Sequence, residues 1–170
     1  AKATASSDRP GNEVGKAIDG HSGADGGGDL SGLPAWASAP GDTTRTLDVH
    51  LASPQMINRV LVSTHSIFSI VTGLRDYDVQ VRPTPNDPWT TVREIRGQFQ
   101  HRSELVTFPA QQVSDIRVHT LAVNYSGYLP GGARPSWWPT DAASQALASS
   151  PWYGPAVISE LSAYAPGTVV

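Results

Sequence analysis

Apolar and polar residues alternate in three stretches of this chain. Leu47, Val49 and Leu51 are interleaved with Thr46, Asp48 and His50, then Tyr77, Val79 and Val81 with Asp76, Asp78 and Gln80, then Ile116 and Val118 with Arg117 and His119. A period of two belongs to a strand with one buried face, because successive side chains leave a pleated backbone on opposite sides. Between such runs the chain is broken by 16 Gly and 14 Pro, and no helical period is sustained before Thr140. One short helix is expected over 141–148, where Thr140 or Asp141 caps an alanine-rich run. Short strands at fairly even spacing make an all-β antiparallel sandwich or barrel. Tyr77 and Phe108 are expected in the core, and Asp76, Asp78, His50 and His119 on solvated strand faces. With no internal repeat and no boundary signal, 1–170 reads as a single domain.

Two segments interrupt the strand rhythm. The first, 20–34, has glycines at 20, 23, 26, 27, 28 and 32; the second, 124–155, is a long insert rich in aromatics and proline. Loops of that length inside a domain are usually functional.

Composition narrows the chemistry. A chain of 170 residues without cysteine has no disulfide, no zinc–thiolate centre and no thiol nucleophile. The net charge of -3, from 12 basic and 15 acidic residues, offers no basic field for a phosphate backbone, so nucleic acid is not an expected partner. No apolar run reaches the roughly 20 residues of a membrane-spanning helix, and the N-terminus lacks the charged and apolar regions of a signal peptide. The sequence is therefore expected to be a soluble module of something longer. Binding to a membrane surface needs apolar spikes ringed by basic residues, and Trp137-Trp138 with Arg134 is a thin match opposed by the net charge. Catalytic patterns are missing: Gly20-His21-Ser22-Gly23-Ala24 departs from the nucleophile elbow at Ala24, and metalloprotease, phosphate-loop and dinucleotide motifs are not found. The carboxylates Asp76 and Asp78 read as the polar side of a strand rather than a glycosidase pair. The module itself is expected to be non-catalytic.

Several short motifs occur in a telling order. Ala5-Ser6-Ser7 and the Asp19-Gly20 loop precede Trp36-Ala37-Ser38, Thr46-Leu47-Asp48-Val49-His50-Leu51, Ile57-Asn58-Arg59-Val60, Asp76-Tyr77-Asp78-Val79-Gln80-Val81, Trp89-Thr90-Thr91-Val92, Phe108, Ile116-Arg117-Val118 and Val157-Ile158-Ser159-Glu160-Leu161. In this the chain resembles the discoidin, or F5/8 type C, family and its bacterial relatives, the galactose-binding-like carbohydrate-binding modules of family 32 type. The resemblance implies a jelly-roll β-sandwich of about eight main antiparallel strands, with Trp36 and Trp89 as core or edge-packing residues. It also implies a structural calcium ion, Ca2+, held by the Lys16 carbonyl, the Asp19 carboxylate, the His21 carbonyl, the Ser159 carbonyl and the Glu160 carboxylate. Where relatives have a short loop with a threonine, this chain has an expanded one offering Asp25 and Asp29 as replacement ligands. Read locally, Asp19-Gly20 is merely a turn and Gly26 to Asp29 a flexible insert. A carboxylate at Glu160, inside the apolar stretch 156–164, needs a partner or a cation if buried.

By the same resemblance, sugar contacts lie on loops at one end of the sandwich. A sugar presents hydroxyls around apolar C–H patches, so its site combines an aromatic platform with planar hydrogen-bonding groups. Where relatives carry an Arg and an Asn, this chain has 63–69, with His65 and Ser66 as candidate hydroxyl partners and Phe68 as a candidate platform. Trp137, Trp138, Trp152 and Tyr153 of the long insert are candidate platforms, at least one of which is expected to be exposed. Two functional readings stay open. One is a carbohydrate-binding module, part of a larger secreted or cell-surface bacterial glycan-active protein, with a poly- or oligosaccharide and the parent's other domains as partners. The other is a protein-interaction or adhesion module of the same fold, using the long insert against a protein.

Overall fold

In the computed structural model of the protein, which describes residues 1–21, 34–39, 41–64, 74–98, 103–123 and 156–169, the three alternating stretches all lie in strands. Seven strands are found among the described residues: β1 (Lys2–Ala5), β2 (Trp36–Ala37), β3 (Thr46–Thr64), β4 (Leu74–Arg82), β5 (Thr90–Ile95), β6 (Ser103–Val123) and β7 (Val157–Tyr164). All pairings are antiparallel, in the order β2-β7-β3-β6-β4-β5, with β1 on β3. No helix among them is long and apolar enough to cross a membrane.

β3 and β6 run 19 and 21 residues, where about five or six is usual, because each serves both layers of the sandwich. In one layer Thr46 to His50 lie between β1 and the distal part of β6, which continues to β4 and β5. In the other, Arg59 to Thr64 lie between β7 and the proximal part of β6. The change-over is built from two register shifts, between His50 and Gln55 and between Ile57 and Arg59. The first puts extra residues on β3 around Pro54, the second on β6 around Pro109, and a bulge is where a strand tolerates a proline. The described residues hold seven strands, in keeping with the expected sandwich of about eight, and the prolines bend the two long strands without ending them.

One core fills the space between the layers. Leu47, Val49, Tyr77, Val79, Val81, Ile116 and Val118 from the first layer meet Val60, Val62, Val106, Phe108, Ile158 and Leu161 from the second, with Trp36 and Ala17. The predicted inner faces are thus the buried ones. Ala17 belongs to a five-residue 3-10 turn, Val14–Ile18, which the sequence period could not reveal because a single turn has no repeat. The helix expected over 141–148 lies outside the described residues.

The outer face of the first layer differs from its expectation as a solvated surface, being paved with ion pairs. Arg117 grips Asp48 with two 2.7 Å bonds, Arg82 bonds Asp115 at 2.7 Å, Arg75 bonds Asp76 at 2.9 Å and Arg96 bonds Asp78 at 2.6 Å. His50, half-buried, shares hydrogen bonds with Asp115 (2.7 Å) and with Thr4 of β1 (2.9 Å). Trp89 folds back over this face, its ring 4.4 Å from the Arg82 guanidinium carbon and 4.3 Å from that of Arg117. Cross-strand neighbours make the arrangement: Asp48 is opposite Arg117 and His50 opposite Asp115.

These contacts have a pH consequence. Burial pushes the Asp115, Asp42 and Asp76 carboxyls up, yet hydrogen bonds outweigh it and hold each below its ordinary value. The donors are His50, Arg82 and Ser114 at Asp115, Ser6, Ser7 and the Arg45 and Thr44 amides at Asp42, and Arg75 and the Gly97 amide at Asp76. A carboxyl with a depressed folded-state pKa contributes stability above the ordinary aspartate value of about 3.9 and loses it as pH falls through the folded value. The melting temperature is expected to hold level from about pH 7 to 5 and to fall below about pH 4. Thermal melts across that range check it, and equal stability at pH 3 and pH 6 would contradict it.

Candidate functional site

The 3-10 turn delivers the chain to Asp19, its C-terminal cap, and Gly20 follows at φ 83°. That left-handed conformation is open to glycine and strained for other residues. It reverses the backbone, so the His21 N–H donates to Asp19 Oδ1 at 2.9 Å, and His21 Nδ1 stands 3.3 Å from the same oxygen. Lys16 is fixed by its own N–H, which donates to the Glu13 carbonyl at 3.0 Å, and by its ammonium, which donates to the Gly11 carbonyl at 2.6 Å. The turn packs on β7 through Ala17, in the same cluster as Ile158 and Leu161.

β7 carries the other half. Ser63 of β3 is opposite Glu160 while Thr64 is opposite Ile158, so Ser159 is the extra residue of a bulge. The Ser159 hydroxyl donates to the Ser63 carbonyl at 3.1 Å. Bulges re-aim the groups beside them. The Glu160 side chain, in a residue only 8% exposed, accepts from the Gly20 N–H at Oε2 (3.1 Å) and from the Ser162 hydroxyl at Oε1 (2.6 Å). Both donors are neutral, and no basic side chain of the described residues forms an ion pair with Glu160. Among the described residues, then, the Glu160 carboxyl is met by neutral donors.

The structure thus brings together the two ends of the chain singled out by sequence: the loop of Lys16, Asp19 and His21 meets the strand of Ser159 and Glu160. Their donors are carboxylate and carbonyl oxygens, the hard type that calcium takes. Among the described residues no three His, Cys, Asp or Glu side chains gather into a metal cluster. Asp25 and Asp29 lie outside the described residues. So do all seven candidate sugar contacts: His65, Ser66, Phe68, Trp137, Trp138, Trp152 and Tyr153.

The roots of the segments that hold those seven are described. Segment 65–73 leaves β3 at Thr64 and returns at Leu74, while 124–155 leaves β6 at Val123 and returns at Ala156. Thr64 is paired with Ile158, and Leu74 with Val123. Ala156 is pinned on both sides by Ser38, whose N–H donates to its carbonyl and whose hydroxyl accepts its N–H, each at 3.0 Å. The two segments therefore start and finish on neighbouring strands. Sequence reasoning missed the donors Gly20 and Ser162 around Glu160; an acceptor at 160 with a hydroxyl two residues on, sharing a strand face, was the available signal.

Comparison with known proteins follows the geometry. Residues 2–131 match the profile described as the F5/8 type C domain. No curated protein matches the sequence. Among solved structures, chitosan-binding module 1 of a chitosanase/glucanase from Paenibacillus sp. IK-5 is 24% identical, with 96% of this chain and 93% of that one covered and a TM-score of 0.64. Chitosan-binding module 2 of the same enzyme, in complex with chitotriose, is 22% identical, with coverages of 96% and 95% and a TM-score of 0.62. The family 32 carbohydrate-binding module of C. perfringens NanJ, in complex with galactose, is 16% identical, with coverages of 95% and 91% and a TM-score of 0.63. These likenesses show a shared galactose-binding-like sandwich fold.

Proposed function

Since the chain belongs to the F5/8 type C domain family, whose profile spans residues 2–131, we propose that it is a non-catalytic carbohydrate-binding module. It binds a poly- or oligosaccharide through segments 65–73 and 124–155, using His65 and Ser66 for hydroxyls and an aromatic of the set Phe68, Trp137, Trp138, Trp152 and Tyr153 as platform. The observation that carries this reading is the common rooting of those two segments on paired strands, Thr64 with Ile158 and Leu74 with Val123. Residues remote in sequence can then line one surface. Chitotriose and galactose in the complexes of structurally similar modules support the ligand class. An extracellular setting, attached to the other domains of a glycan-active parent protein, follows the same reading. There the module raises the parent's local concentration at a polysaccharide.

The proposal includes calcium. Lys16 and His21 carbonyls, the Asp19 and Glu160 carboxylates and the Ser159 carbonyl would hold it, with Asp25 or Asp29 completing the shell. When bound, the ion supplies charge neutralisation for Glu160 and a cross-link between the first loop and the last strand.

A glycan array tests both parts, with wild type and Trp152→Ala each presented in calcium and in chelator to chitosan oligomers, galactose-terminated glycans and uronic-acid polymers. Wild-type binding is expected, weakened about tenfold or more in the variant, since a stacked aromatic contributes about 1.5 kcal/mol. Loss in chelator alone assigns calcium a supporting part. A well-folded module that binds none of these glycans would replace this reading with the protein-interaction one.

A further inference from the structure

Glu160 does more than present a negative charge. Its two oxygens are held separately, Oε2 by the Gly20 N–H at 3.1 Å and Oε1 by the Ser162 hydroxyl at 2.6 Å. The first of these bonds joins residues 140 positions apart in sequence. Gly20 reaches it from the residue that follows the 3-10 turn and its cap, Asp19. Ser162 reaches it from the same strand face, one pleat further along β7. Neither bond requires a cation, since both donors belong to the protein, and each oxygen keeps a lone pair for a further partner.

We infer that Glu160 is a direct clasp between the first loop and the last strand, closed by Gly20 and Ser162, which holds without metal and fixes the carboxylate in position for one. Ser162 is accordingly a positioning residue of the cation site, and Gly20 serves as its backbone counterpart. The second half of this inference rests on the calcium reading above, and the first half does not.

Two substitutions separate reach from charge. Glu160→Gln keeps the length and an oxygen acceptor for Gly20, while its amide donates to the Ser162 hydroxyl. Glu160→Asp keeps the charge but is one methylene short. In chelator, the Gly20 amide is expected to exchange with solvent only a few-fold faster in Glu160→Gln than in wild type, the difference between a neutral and a charged acceptor, and at least roughly tenfold faster in Glu160→Asp, where the bond itself is lost. In calorimetric titration with calcium chloride, Glu160→Gln is expected to lose binding. Ser162→Ala is expected to weaken it about fivefold, and Ser162→Thr, which restores the hydroxyl, to recover it. Gly20 exchange as fast in Glu160→Gln as in Glu160→Asp, or protection surviving in Glu160→Asp, overturns the clasp. An unchanged calcium affinity in Ser162→Ala overturns the positioning role. Wild type that binds no calcium removes the cation reading and the positioning role with it, and the exchange rates still decide the clasp.

Discussion

Trp36→Ala is expected to cost about 4 kcal/mol of stability, the range for a fully buried aromatic cut back to alanine. Trp36 is 0% exposed and sits where four parts of the chain meet. Its strand pairs with β7 opposite Ile158, it packs in the main core with Ala17, and its indole N–H donates to the Ser7 carbonyl at 3.1 Å and Asp8 Oδ1 at 3.0 Å. Truncation opens a large cavity and leaves both acceptors without their donor. Trp36→Phe keeps an aromatic ring and removes the N–H donor with only part of the volume, for an expected cost of about 1–2 kcal/mol. Against a total of about 5–15 kcal/mol for a domain, the alanine change removes a large part of the margin. Urea unfolding reads it as a lower midpoint with the slope unchanged. A loss below about 1 kcal/mol would show that the core closes without the indole.

The second large effect is expected on the polar outer face of the first layer, where Asp115 is paired with His50 and Arg82. Asp115→Ala should cost about 3 kcal/mol, because removing one partner of a buried ion pair strands the others. Asp115 is 2% exposed and accepts from Arg82 at 2.7 Å and Ser114 at 3.0 Å, with His50 at 2.7 Å on its other oxygen. The Arg82 side chain keeps some contact with water, which places the estimate at the low end of the range for buried pairs. His50 also holds Thr4, so the effect should spread to β1, seen as faster amide exchange in Lys2–Ala5. The deficit should shrink in acid, since protonating Asp115 in the wild type removes the same acceptor charge. A variant as stable as wild type at pH 7, with β1 unchanged, would mean that Trp89 and the remaining ion pairs hold this face without Asp115.

The fold was legible wherever one residue type answered one physical demand. Leu47, Val49, Val79, Val81, Ile116 and Val118 alternate because one face meets the core, Tyr77 and Phe108 are buried as expected, and Trp36 is buried where the family resemblance put it. The prolines were less informative, since Pro54 and Pro109 look like strand breakers until the partner strand shows that each occupies a bulge. Partnering across strands was hidden for the same reason. His50 and Asp115 are 65 positions apart, and no local window shows that a half-exposed histidine has a carboxylate waiting on the next strand. Asp76 and Asp78 likewise read as solvated until Arg75 and Arg96 closed on them.

For the candidate site, only the resemblance linked Asp19 to Glu160, because neither a turn nor an apolar strand announces a contact at the far end of the chain. The geometry adds what no motif encodes: a backbone N–H and a serine hydroxyl as the groups that grip the carboxylate. The candidate sugar contacts lie outside the described residues, and the paired roots of their segments are the part that the fold supplies.

The sharing of β3 between the layers also sets a load path. β1 hangs on the first half of β3 and β7 on the second, so tension applied between these two strands is carried along one continuous backbone. A module that tethers a partner to a solid surface would meet drag in this way, with the bend around Pro54 as the place where the pull changes direction.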